Sequence, residues 1–97
     1  MKNTLHLVLT GKWYDMIESG EKTEEYRRIC PYWDKRLDVA SDHYEKVTFH
    51  RGYTNTCCSF SCQIGRGISN RREWGAPEET CYIIRLEKRI DEITELQ

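Results

Sequence analysis

No part of this chain stays apolar for long. The amino-terminal stretch MKNTLHLVLTGKW holds a run of only five residues, Leu5 to Leu9, and His6 interrupts it. That is short of the ~7–15 residues of a signal segment's apolar centre, and far short of the ~20 that a bilayer-crossing helix requires. No membrane partner or transmembrane segment is expected, and the run reads as a first strand in a cytoplasmic protein. Charge of one sign is also scarce. Lys and Arg total 15 against 16 Asp and Glu, a formal net charge of −1, so no global field draws the chain toward nucleic acid or acidic lipid. Any such contact has to come from a local patch. There is no internal repeat and no low-complexity linker, and 97 residues leave no room for a second domain. Residues 1–97 read as one domain that buries about two-thirds of its unfolded surface.

A secretory context is missing too, and the five cysteines are odd in number, which points to reduced thiols rather than a disulfide framework. Their grouping, Cys57-Cys58 with Cys62 four further on, raises a zinc reading that geometry can test. Along a strand, positions four apart are separated by about 13 Å, whereas thiolates on one zinc lie within ~4 Å of each other. Cys58, Phe60, Cys62 and Ile64 alternate with Ser59, Ser61 and Gln63. A strand there makes the thiols small core hydrophobes. No metal site and no cofactor are expected. His6, His43 and His50 show no paired spacing for a metal, and only His50, beside Arg51, is set near a binding cleft.

What the chain does have is apolar and aromatic content sufficient for a core, 38% and 11%, beside 32% charged residues. Leu5, Leu7 and Leu9 alternate with polar or smaller neighbours as a strand does. A helix over Lys12 to Ser19 follows, with Thr10 as its N-cap, Trp13, Met16 and Ile17 at helical spacing, and Gly20 as a left-handed terminator. Lys22 to Ile29 reads as a second strand. Cys30-Pro31 then opens a short helix carrying Trp33 and Leu37 on one face. Asp38 to Glu45 is a polar connection. Val47 and Phe49 mark a third strand that stops at Arg51-Gly52-Tyr53, the cysteine strand is the fourth, and Cys81 to Leu86 (CYIIRL) is the fifth. The tail 87–97 reads as a weak amphipathic helix or a frayed end. The fold class is α+β: a small mixed or antiparallel β-barrel of about five strands, partly closed, with one helix after strand 1 and a short one after strand 2.

The stretch Gly20 to Arg27, GEKTEEYR, concentrates the chemistry. Glu25 and Arg27 are two apart and share a strand face, where a guanidinium can hold a carboxylate or a phosphate. Strict alternation puts Lys22 on the opposite face, so it joins them only from a turn after Gly20 or beside a bulge. Glu21 and Glu24 are expected to face solvent and Tyr26 to pack. Alternating charges of this kind usually form a solvated strand face of weak ion pairs, each contributing about 0–1 kcal/mol.

The spacing Gly20-x-Lys22-x-x-Glu25-x-Arg27, directly after a strand and a helix, resembles the GxKxxExR signature of the ASCH family, a PUA-like β-barrel group. Pro31-Tyr32-Trp33, Arg51-Gly52-Tyr53, Glu73-Trp74-Gly75 and the strand Tyr82 to Leu86 extend the resemblance over nearly the whole chain. It implies a curved sheet around a cleft that accepts RNA or a nucleoside, lined by the signature residues. Some similar proteins are amidohydrolases that deacetylate N4-acetylcytidine, and others are reported to cut RNA. In the amidohydrolases the signature lysine is followed three residues later by a nucleophilic threonine, where this chain has Glu25. They also use a glutamate, for which Glu73 is a candidate here.

The expected function is therefore binding of RNA or a modified nucleoside or nucleotide in a cleft framed by Lys22, Glu25 and Arg27, with Arg51, Tyr32, Tyr53 and Trp74 as further ligand-binding residues. In a catalytic version Lys22 and Glu25 carry the chemistry of a small hydrolase on acetylcytidine or RNA. A protein-interaction module with a vestigial cleft is the third reading. Trp13 and Trp33 read as core, and the basic loop Gly65 to Arg72 as either a phosphate grip or a merely soluble segment.

Overall fold

The computed structural model describes residues 3–37 and 44–90. The chain runs β1 (Asn3–Leu9), α1 (Gly11–Glu18), β2 (Glu24–Arg28), α2 (Pro31–Leu37), β3 (Tyr44–Arg51), β4 (Cys57–Gly67), a 3-10 turn at Arg72–Trp74, and β5 (Cys81–Ile90). The five strands form one sheet in the order β1-β3-β4-β5-β2. β1 lies parallel to β3 and the other neighbours are antiparallel. The result is a small α+β fold whose mixed sheet curls into half a barrel, with β1 and β2 as its two edges.

Period-two burial builds the interior. Leu5, Leu7 and Leu9 of β1 and Val47 and Phe49 of β3 point inward, while His6 and Val8 face out. They meet Tyr14 and Ile17 of α1, Leu37 of α2, Cys58, Phe60 and Cys62 of β4, and Tyr82 and Ile84 of β5 in one core cluster. The alternate β5 residues Cys81 and Ile83 join Tyr26, Trp74 and Ala76 in a second cluster. β5 is thus covered on both faces, which explains why CYII is continuously apolar instead of alternating. α2 is tied to it by Tyr82, whose hydroxyl donates to Asp34 Oδ1 at 2.6 Å.

Several boundaries differ from the sequence reading. The strand after Gly20 begins at Glu24 and not at Lys22. Glu87 to Ile90 are neither helical nor frayed. They extend β5, with Ile90 opposite Ser59 and Arg89 opposite Phe60, because β4 is 11 residues long and offers ladder groups for the extra length. A register shift between Phe60 and Cys62 accommodates the longer pairing. Residues 91–97 of the tail and 38–43 of the polar connection lie outside the described residues, whereas Tyr44 and Glu45 open β3. Thr10 precedes α1 in extended conformation, yet its side chain makes no capping bond. Among the described residues, no helix is long and apolar enough to cross a membrane.

The buried thiols give this fold an alkaline limit. Burial raises the pKa of Cys58, Cys62 and Cys81, taking Cys62 from 9.0 to about 11, and it raises the phenols of Tyr14 and Tyr26 as well. Between pH 9.0 and about 11 the folded chain keeps the Cys62 proton that the unfolded chain releases, so that thiol's contribution is intact below pH 9.0 and is lost on the way to about 11, and the other raised groups act in the same direction. The urea midpoint is expected to drop between pH 9 and 11, and to drop less steeply in Cys62→Ala, whatever that substitution costs at neutral pH. Parallel profiles for the two proteins would contradict the assignment.

Candidate functional site

The site is assembled where α1 ends. Ser19 N–H bonds to Asp15 O, Gly20 N–H to Ile17 O, and Gly20 takes a left-handed φ of 91° that a side chain disfavours. The chain then folds back so that Lys22 N–H donates to Met16 O at 2.9 Å. Lys22 therefore sits in the turn, outside the strand, and escapes the alternation that would have sent it to the other face. Its ammonium lies 2.9 Å from Glu25 Oε1, and Arg27 Nη2 lies 3.2 Å from Glu25 Oε2. One carboxylate thus bridges two cations.

Lys22 is 2% exposed, and its remaining contacts come from distant segments. Nζ donates to the Trp74 carbonyl at 2.5 Å and lies 4.5 Å from the Trp13 ring centroid and 5.2 Å from that of Tyr26. Desolvation by burial dominates its titration and lowers the pKa below the usual lysine range. The Glu25 carboxylate pulls it back up, and the Arg27 guanidinium pushes it down again. Arg27 lies over Trp33, 5.2 Å from its centroid, and its Nε is buried with no hydrogen-bond partner.

These groups line a cavity of about 310 Å³. Val8, Leu9 and Thr10 bound one side, Glu25, Tyr26 and Arg27 the other, and Trp13, Lys22, Trp74 and Gly75 complete it. The first group comes from the β1 edge and the second from the β2 edge, so the cavity occupies the seam where the half-barrel stays open. Gly75 has φ 87°, and a Cβ there would stand 3.0 Å from the Trp13 ring. The close approach of that turn to α1 requires glycine.

Of the residues singled out in the sequence, Lys22, Glu25, Arg27 and Trp74 converge on the cavity. Arg51, Tyr32 and Tyr53 do not line it. The Arg51 guanidinium grips Asp15 of α1 through two hydrogen bonds of 3.0 and 3.1 Å, because the parallel β1–β3 pairing brings the end of β3 beside the start of α1. That contact holds the Asp15 carboxyl below its ordinary pKa. Tyr32 stands exposed on α2 under the Arg36 guanidinium, 3.7 Å from its ring centroid. Tyr53, at the β3–β4 turn, is 96% exposed. Glu73 is exposed and pairs with Arg71, and Arg71 covers the Trp74 ring.

The basic loop spends its arginines unequally. Arg72 Nη1 donates to the carbonyls of Ser69, Ala76 and Pro77 and so serves the loop's own shape. Glu24, expected in solvent, is half-buried: it accepts from Tyr26 Oη at 2.8 Å and Ser69 Oγ at 3.3 Å and pairs with Arg85. Trp13, Tyr26 and Thr10 are cavity residues that sequence reasoning left in the core or at a cap. Trp13 does pack against the core while one part of its ring system meets Lys22, and helical periodicity registers only the first role. Among the described residues, no cluster of three or more His, Cys, Asp or Glu side chains is placed to share one metal ion. No protein-family model, curated protein or solved structure matches this chain.

Removing the bridging carboxylate leaves a buried ammonium facing a guanidinium. Glu25→Gln is expected to lower the unfolding free energy by about 3 kcal/mol, measured by urea denaturation. Glu21→Gln, on an exposed turn residue, is expected to change it by no more than ~0.5 kcal/mol. Equal effects of the two substitutions would show that the bridge is dispensable.

Proposed function

We propose that this chain is an ASCH-like, PUA-like domain that binds RNA or a modified nucleoside by taking a base into the cavity at the open seam. The observation that carries the reading is the unpartnered, buried Nε of Arg27 beside a carboxylate already bridging two cations. A donor of this kind is costly to leave unsatisfied, and a base carbonyl or ring nitrogen is an acceptor of suitable size and polarity. The cluster of Lys22, Arg27 and Glu25 carries one net positive charge by residue type, a local patch of the sort the near-neutral chain needs for an acidic partner. Trp13, Tyr26 and Trp74 add aromatic walls of the kind that hold unstacked bases. In this reading Arg27 donates to the base, Lys22 fixes Glu25, and Glu25 accepts from an exocyclic amine.

A hydrolytic reading draws support from one observation, the desolvated Lys22, whose neutral form is favoured by burial and which therefore suits general-base chemistry. Two features weigh against it. Lys22 is engaged by Glu25 and the Trp74 carbonyl, and Glu25 stands where the resembled amidohydrolases carry a threonine nucleophile.

Titrating short, fluorescently labelled single-stranded RNA and following its anisotropy at low salt tests the binding reading. Arg27→Ala is expected to weaken association roughly tenfold or more, while Tyr53→Ala leaves it within error. A superimposable Arg27→Ala curve would sink it. Release of acetate from N4-acetylcytidine that disappears in Lys22→Ala would instead favour the hydrolase.

A further inference from the structure

On the outer face of the sheet, two histidines 44 positions apart in sequence meet. His6 Nδ1 lies 3.0 Å from His50 Nε2, and the rings stack with centroids 5.3 Å apart at 29°. The topology creates the pair. β1 and β3 run parallel with His6 opposite Thr48 and Val8 opposite His50, so His6 and His50 project on the same side as their strands' alternate residues turn into the core. Thr48, opposite His6 in register, is already bonded to Ser59 at 2.8 Å. His6 is exposed and His50 half-buried, so the pair is open to solvent from one side.

We propose that His6 and His50 form a binding site for a first-row divalent transition metal such as Zn²⁺ or Ni²⁺. Two imidazole nitrogens each bonded to such an ion at about 2.0–2.1 Å lie about 2.8–3.4 Å apart for angles between right-angled and tetrahedral. The observed 3.0 Å falls inside that window. Both strands are held in the sheet, so little backbone ordering is needed to bring the ligands together. In the free protein one ring N–H points at the other ring's lone pair. For both atoms to ligate, that hydrogen moves to the far nitrogen of its own ring. His6 then carries its hydrogen on Nε2 and His50 on Nδ1, both rings stay neutral, and no net proton is released. A modest rotation of the rings turns the two lone pairs from each other toward a common point in solvent, where water completes the coordination shell. Nitrogen donors select borderline metals over Mg²⁺ and Ca²⁺, which prefer oxygen.

Calorimetric titration of the full chain with Ni²⁺ and with Zn²⁺ at neutral pH tests the site. It is best run on Cys57→Ser, because Cys57 is an exposed thiol directly across β3–β4 from His50 and would take up metal by itself. The expected result is saturable one-to-one uptake, weakened roughly tenfold or more by either His6→Gln or His50→Gln. Nitrogen-resolved histidine spectra should report His6 Nδ1 and His50 Nε2 as the liganded atoms. No saturable uptake up to millimolar metal, uptake that survives both substitutions, or equal uptake of Mg²⁺ would overturn the proposal. Far-UV circular dichroism confirms that each variant is folded.

Discussion

The burial of the Lys22 ammonium constrains everything around it. A cation withdrawn from water costs several kcal/mol unless each of its donors finds a partner, and Lys22 finds them in three separate parts of the chain. The β2 edge supplies Glu25, the turn before β5 supplies the Trp74 carbonyl, and α1 and β2 supply the Trp13 and Tyr26 rings. Moving any of these segments would strand the charge, so the end of α1, the start of β2 and the Arg72–Trp74 turn are fixed relative to one another. Gly75 admits the last of these contacts by letting the turn lie against Trp13 without a side chain. Arg72 braces the same turn from behind through three carbonyls.

The open seam is what makes this arrangement a cavity rather than a buried ion pair. The order β1-β3-β4-β5-β2 makes β1 and β2 the edges of the sheet among the described residues, and the residues that bound the space come from the ends of those edges and the helix that follows the first. Aliphatic, aromatic and charged side chains therefore face one another across a gap. Glu25 holds two cations at once, and the arginine of that trio still has a buried donor unspent. A buried donor left unsatisfied is costly, and an ion pair is more stable without one.

Much of the fold was legible because it rests on short-range rules. The inward leucines of β1, the termination of α1 at Gly20 and the apolar CYII run each follow from periodicity or backbone sterics within a few residues. The chemical membership of the site was legible for the same reason, since Lys22, Glu25 and Arg27 lie within six consecutive positions of the chain. What could not be read was direction. Arg51 sits beside plausible cleft residues in sequence, yet Asp15, 36 positions away, takes its guanidinium. Glu24 looked solvated until Ser69, 45 positions on, closed over it.

The amino-acid sequence by itself thus determined most of the elements and which charged residues are close enough to cooperate, because those properties depend on neighbours along the chain, whereas the run of β5 to Ile90 depends on its pairing with β4. The tertiary structure alone decided that Lys22 leaves the strand to face Glu25, that Trp13 becomes a cavity wall as well as a core residue, and that His6 meets His50. They depend on His50, 44 positions from His6, on the Trp74 carbonyl, 52 positions from Lys22, on the Gly75 turn that lies against Trp13, and on a bond from the turn back to Met16. Such contacts are set by strand order and register, which no local periodicity encodes.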